Sequence, residues 1–368
     1  MPLQAFCGIP KAIQMQKRFL QKTVAACLTL TLAATVFSAC GKEEKPLVPE
    51  NTSAPIAQVT VQSDKNPLTG LDLRAEAIGK RPVAVMVENS PAARPQWGLS
   101  SPDVVIEGVT EGGITRMMWL YADIADMPKV GPTRSARHDY VELAEGFDAL
   151  YVHFGGSVYA YDTLKKDKVD DVDGTASGSY FARDKSRNVA TEHTAYTTGE
   201  NIQKAIADKK LRTDINSGNA SPFTFASEKR TLQGGACNSV TVEFSKSYKH
   251  TFKYNAAEGI YANYMNSSEM KDANGTTMKV ENVLILYTGI SGVPGSDKGH
   301  VDWDLTGGSG VYVSNGTYQN IKWSKGTAST PTAPLKLTDE NGEALQMNTG
   351  KMWIGFVPAS NSGATVLA

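Results

Sequence analysis

Residues 82–88 read PVAVMVE, with every position from Pro82 to Val87 apolar. A strand with one wet face alternates apolar and polar residues, whereas a strand covered on both faces reads as a continuous apolar run. The run therefore predicts a central strand of a layered sheet. Its surroundings carry the same reading outward. DVVIEG (103–108), ITRMMWLY (114–121) and DALYVHF (148–154) are further strand signals. Between and after them come helix signals: 135–145, begun by Ser135; 158–166, after Gly155-Gly156-Ser157; and 199–210, capped by Thr198 and closed by lysines. Strands alternating with helices predict an α/β layered domain with a mixed sheet over 66–210.

The second half reads differently. SVTVEF (239–244) alternates, 251–254 and 260–264 suit paired strands, and VENVLILY (280–287) is another strand. Asn274-Gly275, Asn315-Gly316 and Asn341-Gly342 are dipeptides that favour type I′ hairpin turns, since both residues then need φ > 0. No amphipathic helix is legible after about residue 240. A smaller, mainly antiparallel β domain is expected over 237–368, joined by a polar connector, 211–236. The fold class expected for the whole chain is α+β.

The first forty residues read as an address. Lys17, Arg18 and Lys22 precede an uncharged apolar run from Val24 to Phe37, and Ser38-Ala39-Cys40 follows. A basic start, a short apolar core and small residues at a cleavage point make a signal peptide over 1–39. The core is about 14 residues, short of the roughly 20 that span a bilayer. Phe37-Ser38-Ala39-Cys40 resembles a bacterial lipobox, in which the Cys becomes the lipidated first residue. Residues 40–65 then form lipid anchor and polar tether. A start at Met15 rather than Met1 would put the basic pair almost at the terminus. Cys7 and Cys27 fall in the removed segment, which leaves Cys237 alone in the folded part.

Charge agrees with export. The 368 residues carry 37 basic and 38 acidic groups, a net of −1. Four of the basic groups and no acidic one lie within 1–39, so the remainder stands at −5. That balance excludes a general nucleic-acid binder.

The densest chemical cluster is GPTRSARH (131–138). Cations normally avoid a helix N-terminus. Arg134 and Arg137 at a predicted helix start therefore point either to a bound anion or to acidic partners in the same domain. Arg forks suit carboxylate or phosphate, and Ser135 and Ser157 would add helix-end donors. VHFGGS (152–157) reads as strand, glycine turn and helix cap, the place where open α/β sheets bind ligands. There His153, Gly155 and Gly156 are candidate ligand contacts, with His153 orienting the ligand, acting as a base, or buried for structure. Arg94, Arg116, Arg187 and His193 are the further residues that a shared anion pocket would draw on.

Sharper motifs fail. Aspartates 167, 170, 171 and 173 precede Gly174, but a calcium loop would place Val169 and Tyr180 at ligand positions. His138, His153, His193, His250 and His300 show no paired metal spacing, and no cofactor fingerprint occurs. Glu88, Glu107 and Glu111 are the carboxylates that a sugar-cleaving site would use. Cys237, in a loop entering a strand, is a poor nucleophile candidate.

These residues resemble the YerB-like lipoproteins, a family of uncharacterised function found mainly in Gram-positive bacteria. The resemblance rests on NPLTG (66–70), RPVAVMV (81–87), ARPQ (93–96), EGGITR (111–116), GPTRSAR (131–137), His153 with GGS (155–157), RDKSR (183–187), and His193 followed by Tyr196 and Thr197. It implies a two-domain α+β architecture and an envelope location, and no activity. Together the readings predict a lipoprotein on the outer face of the plasma membrane that binds an anionic envelope ligand or an envelope protein without catalysis. The alternatives are a wall-directed hydrolase or transferase using His153 or His193, and a structural partner of membrane machinery.

Overall fold

The structure, a computed structural model, describes residues 64–216, 221–327 and 329–368. The expected signal peptide, Cys40 and nearly all of the expected tether lie outside the described residues, as does the 217–220 part of the expected connector.

The run that opened the sequence reading forms β1 (Val83–Glu88), and all six of its residues are buried. β2 (Val104–Val109), β3 (Thr115–Tyr121), β4 (Leu150–His153) and β5 (Asp171–Asp173) follow. These join a ten-stranded mixed sheet in the order β2-β3-β1-β4-β5. β3 is antiparallel to both neighbours, while β1, β4 and β5 run parallel. The strand Met352–Pro358 lies parallel to the free side of β2. Beyond it lie Asn282–Thr288, Gly308–Ser314, Thr317–Ser324 and Lys336–Thr338. One sheet is thus built from both halves of the chain.

Both faces of β1 are covered, which is why it lacks polar alternation. Val85 and Val87, with Trp119 and Val105, face a second, antiparallel sheet through Val240, Val242, Phe244 and Phe252. That sheet contains Ser239–Ser245, Tyr248–Asn255 and Ile260–Met265, paired as antiparallel neighbours. Ala84 and Met86, with Met118, Leu120 and Tyr151, face the helices α1 (His138–Gly146) and α2 (Val158–Asp167) through Tyr140, Ala144, Ala160 and Leu164. α3 (Gly199–Lys209) buries Ile202 and Ala205 on the other side.

The helix ends follow their chemistry, with one correction. Ser157 Oγ accepts the Ala160 N–H at 3.1 Å and Thr198 Oγ1 accepts the Asn201 N–H at 3.2 Å. Ser135 does not begin α1. Its hydroxyl donates to the Phe154 carbonyl, the chain stays extended past Ala136, and the helix starts at His138. The turns also divide. Asn315 and Gly316 both take positive φ, 51° and 69°, in the hairpin between Gly308–Ser314 and Thr317–Ser324. At 274–275 and 341–342 only the glycine does. There Asp272 and Asp339 accept N–H bonds from Asn274 and Asn341 and set a different turn. Cys237 is fully buried, and burial pushes its thiol pKa up, as befits an inert packing residue.

Candidate functional site

The carboxyl ends of β1, β4 and β5 bring Glu88, His153 and Asp173 to one edge of the sheet. Arg116, near the start of β3, sits opposite Glu88 in register. The segment 131–137 threads across this edge. Glu88 N–H donates to Pro132 O, Arg134 N–H to Met86 O, Phe154 N–H to Arg134 O, and Ala136 N–H to Gly155 O. Backbone pairing alone therefore gathers Arg116, Arg134, Ser135, Arg137, His153, Gly155, Gly156 and Ser157.

The three guanidiniums differ in how they are neutralised. Arg137 is forked onto Glu111, with Nε at 3.1 Å from one carboxylate oxygen and Nη2 on the other. Burial raises the Glu111 pKa, but the hydrogen bonds and charge of Arg137 prevail and hold it at about 2. Arg134 is loosely paired, 3.7 Å from Glu88 and 3.3 Å from Glu192, whose side chain is 56% exposed. Arg116 is 4% exposed, donates from Nη1 to Ser135 O at 2.8 Å, and has no carboxylate within 4.0 Å among the described residues. Burial first, and the charge of Arg137 next, lower its pKa to about 10. Among the described residues it is a buried cation without a direct counter-ion.

Glu88 joins His193 to this edge. Its Oε2 lies 2.8 Å from His193 Nδ1, and its Oε1 accepts the Ser90 hydroxyl at 2.8 Å. Two other residues of the expected pocket lie on two neighbouring loops. Arg187 donates to the carbonyls of Ala93 and Pro95 and covers the Trp97 ring at 4.5 Å, so it braces 93–97. Arg94 turns toward the second sheet, where Nη1 meets Met265 Sδ at 2.9 Å.

His153 is fully buried, with Nδ1 2.7 Å from Gly155 O and Nε2 3.1 Å from Asp171. Both nitrogens face acceptors, so neither is open to a substrate. Ser157 is likewise occupied by its helix cap. Asp173 fixes the turn from below, accepting from Gly155 N–H, Thr175 N–H and Tyr161 OH. Gly155 has φ +76°, which an L side chain rarely adopts.

A second polar cluster lies between the sheets. Glu107 Oε1 accepts from Asn89 at 2.9 Å and Thr115 at 2.6 Å and lies 3.1 Å from His250 Nε2, while Trp353 Nε1 donates to Oε2 at 3.1 Å. His250 Nδ1 in turn meets Asn263 at 2.9 Å. Glu107, His250, Asn89 and Asn263 are all fully buried, so this cluster ties the sheets together and offers no access. Its one legible signal is Glu107, the single polar residue within the strand Val104–Val109.

Comparison with known proteins agrees with this architecture. Residues 68–212 match the family model "Protein of unknown function (DUF3048) N-terminal domain", and 240–354 match its C-terminal counterpart. The chain is 32% identical over 311 residues to the lipoprotein-named protein YerB of Bacillus subtilis (strain 168), covering 81% of this chain and 88% of the relative. The crystal structure of Bacillus subtilis YerB superposes with a TM-score of 0.72 at 29% identity, over 83% of this chain and 99% of that one. With that identity held over most of both chains, the fold shared and both domain models in order, this chain belongs to the YerB-like lipoprotein family.

Proposed function

We propose that this protein is an extracytoplasmic binding module, lipid-anchored through Cys40 on the outer face of the plasma membrane, that takes an anionic ligand of the cell envelope at the Arg116–Arg134 edge. The observation that carries the reading is the unequal neutralisation of the three arginines. Arg137 is satisfied by Glu111 and shapes the edge. Among the described residues Arg116 has no direct counter-ion, and Arg134, besides its longer contact with the buried Glu88, is held by an exposed carboxylate that a ligand can replace. A ligand carboxylate or phosphate taking the place of Glu192 would accept a charge-assisted bond from Arg134 and ease the field around Arg116. No helix among the described residues is long and apolar enough to cross a membrane, and a lipoprotein relative supports attachment by lipid.

The test is binding of two purified wall components, a glycerol-phosphate polymer and carboxylate-bearing muropeptides, to wild type and Arg134→Ala. Saturable, salt-sensitive binding that falls about tenfold in the variant is expected. Equal binding by both proteins overturns the reading.

One observation favours a second reading. The 2.8 Å contact between Glu88 and His193 Nδ1 orients the imidazole as a carboxylate orients a general base. A wall-directed hydrolase or transferase would use it. Turnover of muropeptides by wild type, lost in His193→Ala, would establish that reading in place of the first.

A further inference from the structure

A separate group of side chains sits where the hairpin Ile290–Gly292/Val301–Trp303 packs on the start of α1. His138 and Asp139 open the helix, and Asp302 comes from the hairpin, 164 residues later than His138. His138 Nε2 lies 3.1 Å from Asp302 Oδ1 and 3.5 Å from Asp139 Oδ1, and one ligand atom from each residue falls within 4.8 Å of the others. We propose that His138, Asp139 and Asp302 form a binding site for a borderline divalent cation such as zinc.

The two spacings to Nε2 suit that ion. A tetrahedral zinc with bonds of about 2.1 Å holds neighbouring ligand atoms about 3.4 Å apart. The two contacts to Nε2 bracket that spacing. The donor set, one imidazole and two carboxylates, favours zinc, cobalt or nickel over calcium and magnesium, which prefer all-oxygen shells.

The surroundings hold the three groups in place. Asp139 is 3% exposed, and its Oδ1 is oriented by the Trp303 N–H at 2.8 Å, the kind of outer hydrogen bond that fixes a metal-ligating carboxylate. The His138 ring packs edge-on against Tyr159. Its buried Nδ1 has no hydrogen-bond partner among the described residues, so the polar contacts of the ring lie at Nε2, on the two carboxylates. Asp302 is 59% exposed on its side chain, which leaves a path for the ion and room for water as a further ligand. The nearby Arg137 charge is already paired with Glu111. Sequence spacing could not reveal this set, because two ligands are adjacent and the third is far along the chain.

The test uses the untagged full chain in detergent, stripped with a chelator and titrated with cobalt(II). One cobalt per chain, with the visible absorption of a tetrahedral site and displacement by zinc, is expected. Asp302→Asn, a substitution at an exposed side chain, should weaken zinc binding at least about tenfold while the metal-free protein melts like wild type. His138→Gln should abolish the spectrum. Absence of a saturable cobalt spectrum overturns the proposal, and so does wild-type affinity in both variants, which would put the ion elsewhere.

Discussion

Glu107 and His250 meet at 3.1 Å with neither side chain exposed, one from the large sheet and one from the second sheet. A buried pair of this kind is expensive to break, because the remaining partner keeps its desolvation cost and loses its compensation. Glu107→Gln should therefore cost about 3 kcal/mol of stability. Its combination with His250→Gln should cost less than the sum of the two single changes. Denaturant unfolding of the four proteins checks both statements; additive losses would mean that the two residues act separately.

The same pair sets a pH window. Burial pushes Glu107 up, but the charge and hydrogen bond of His250, with the bonds from Thr115 and Trp353, hold its pKa below the ordinary 4.5. Burial pushes His250 down, but Glu107 prevails and holds its pKa above the ordinary 6.5. A lowered acid contributes stability above its unfolded value and loses it as pH falls through the folded one. A raised histidine contributes below its unfolded value and loses it as pH rises through the folded one. The stability gap between wild type and Glu107→Gln should be widest from pH 4.5 to 6.5 and shrink on both sides. A gap that does not change with pH from acid to alkaline would contradict the pairing.

What the sequence could and could not say follows from the range of the interactions. β1 was legible because burial on both faces writes itself into every residue of the strand. The caps at Ser157 and Thr198 were legible because their partners lie three residues on. Ser135 misled because the carbonyl that captures its hydroxyl belongs to Phe154, 19 residues away. The arginine cluster at 131–137 was visible, whereas the tight pairing of its Arg137, the looser pairing of its Arg134 and the position of Arg116 beside them on β3 depend on Glu111, on Glu192 and on register. Nothing local announced that Asn282–Thr288 and Met352–Pro358 would lie parallel beside β2 in the same sheet as the N-terminal strands.

Glu192 provides a test in the opposite direction from Arg134→Ala. Its exposed carboxylate lies 3.3 Å from Arg134 and competes with an incoming anion. Glu192→Gln removes that competitor without touching a buried group. Affinity for the phosphate polymer or muropeptide that binds wild type should rise about twofold to fivefold, the scale of an exposed ion pair. Unchanged or weaker binding would show that the ligand does not take that position.

Gly108 links the sheet edge to the hairpin that carries Asp302. A Cβ built there would stand 2.0 Å from the ring of Trp303, whose Nε1 donates to Val109 O and whose face stacks on Phe356. The ring packs against both Phe356 and Tyr140, so moving it aside disturbs both contacts. Gly108→Ala should therefore cost about 1–3 kcal/mol through overpacking. The displaced Trp303 would also draw its backbone N–H away from Asp139. The measurement pairs thermal unfolding with cobalt titration. A lowered melting temperature with weakened cobalt binding is expected, since Trp303 supports the packing with its ring and the carboxylate with its backbone N–H. Loss of stability with wild-type cobalt affinity would separate Trp303 from the metal ligands, and full stability would show that the ring moves aside freely.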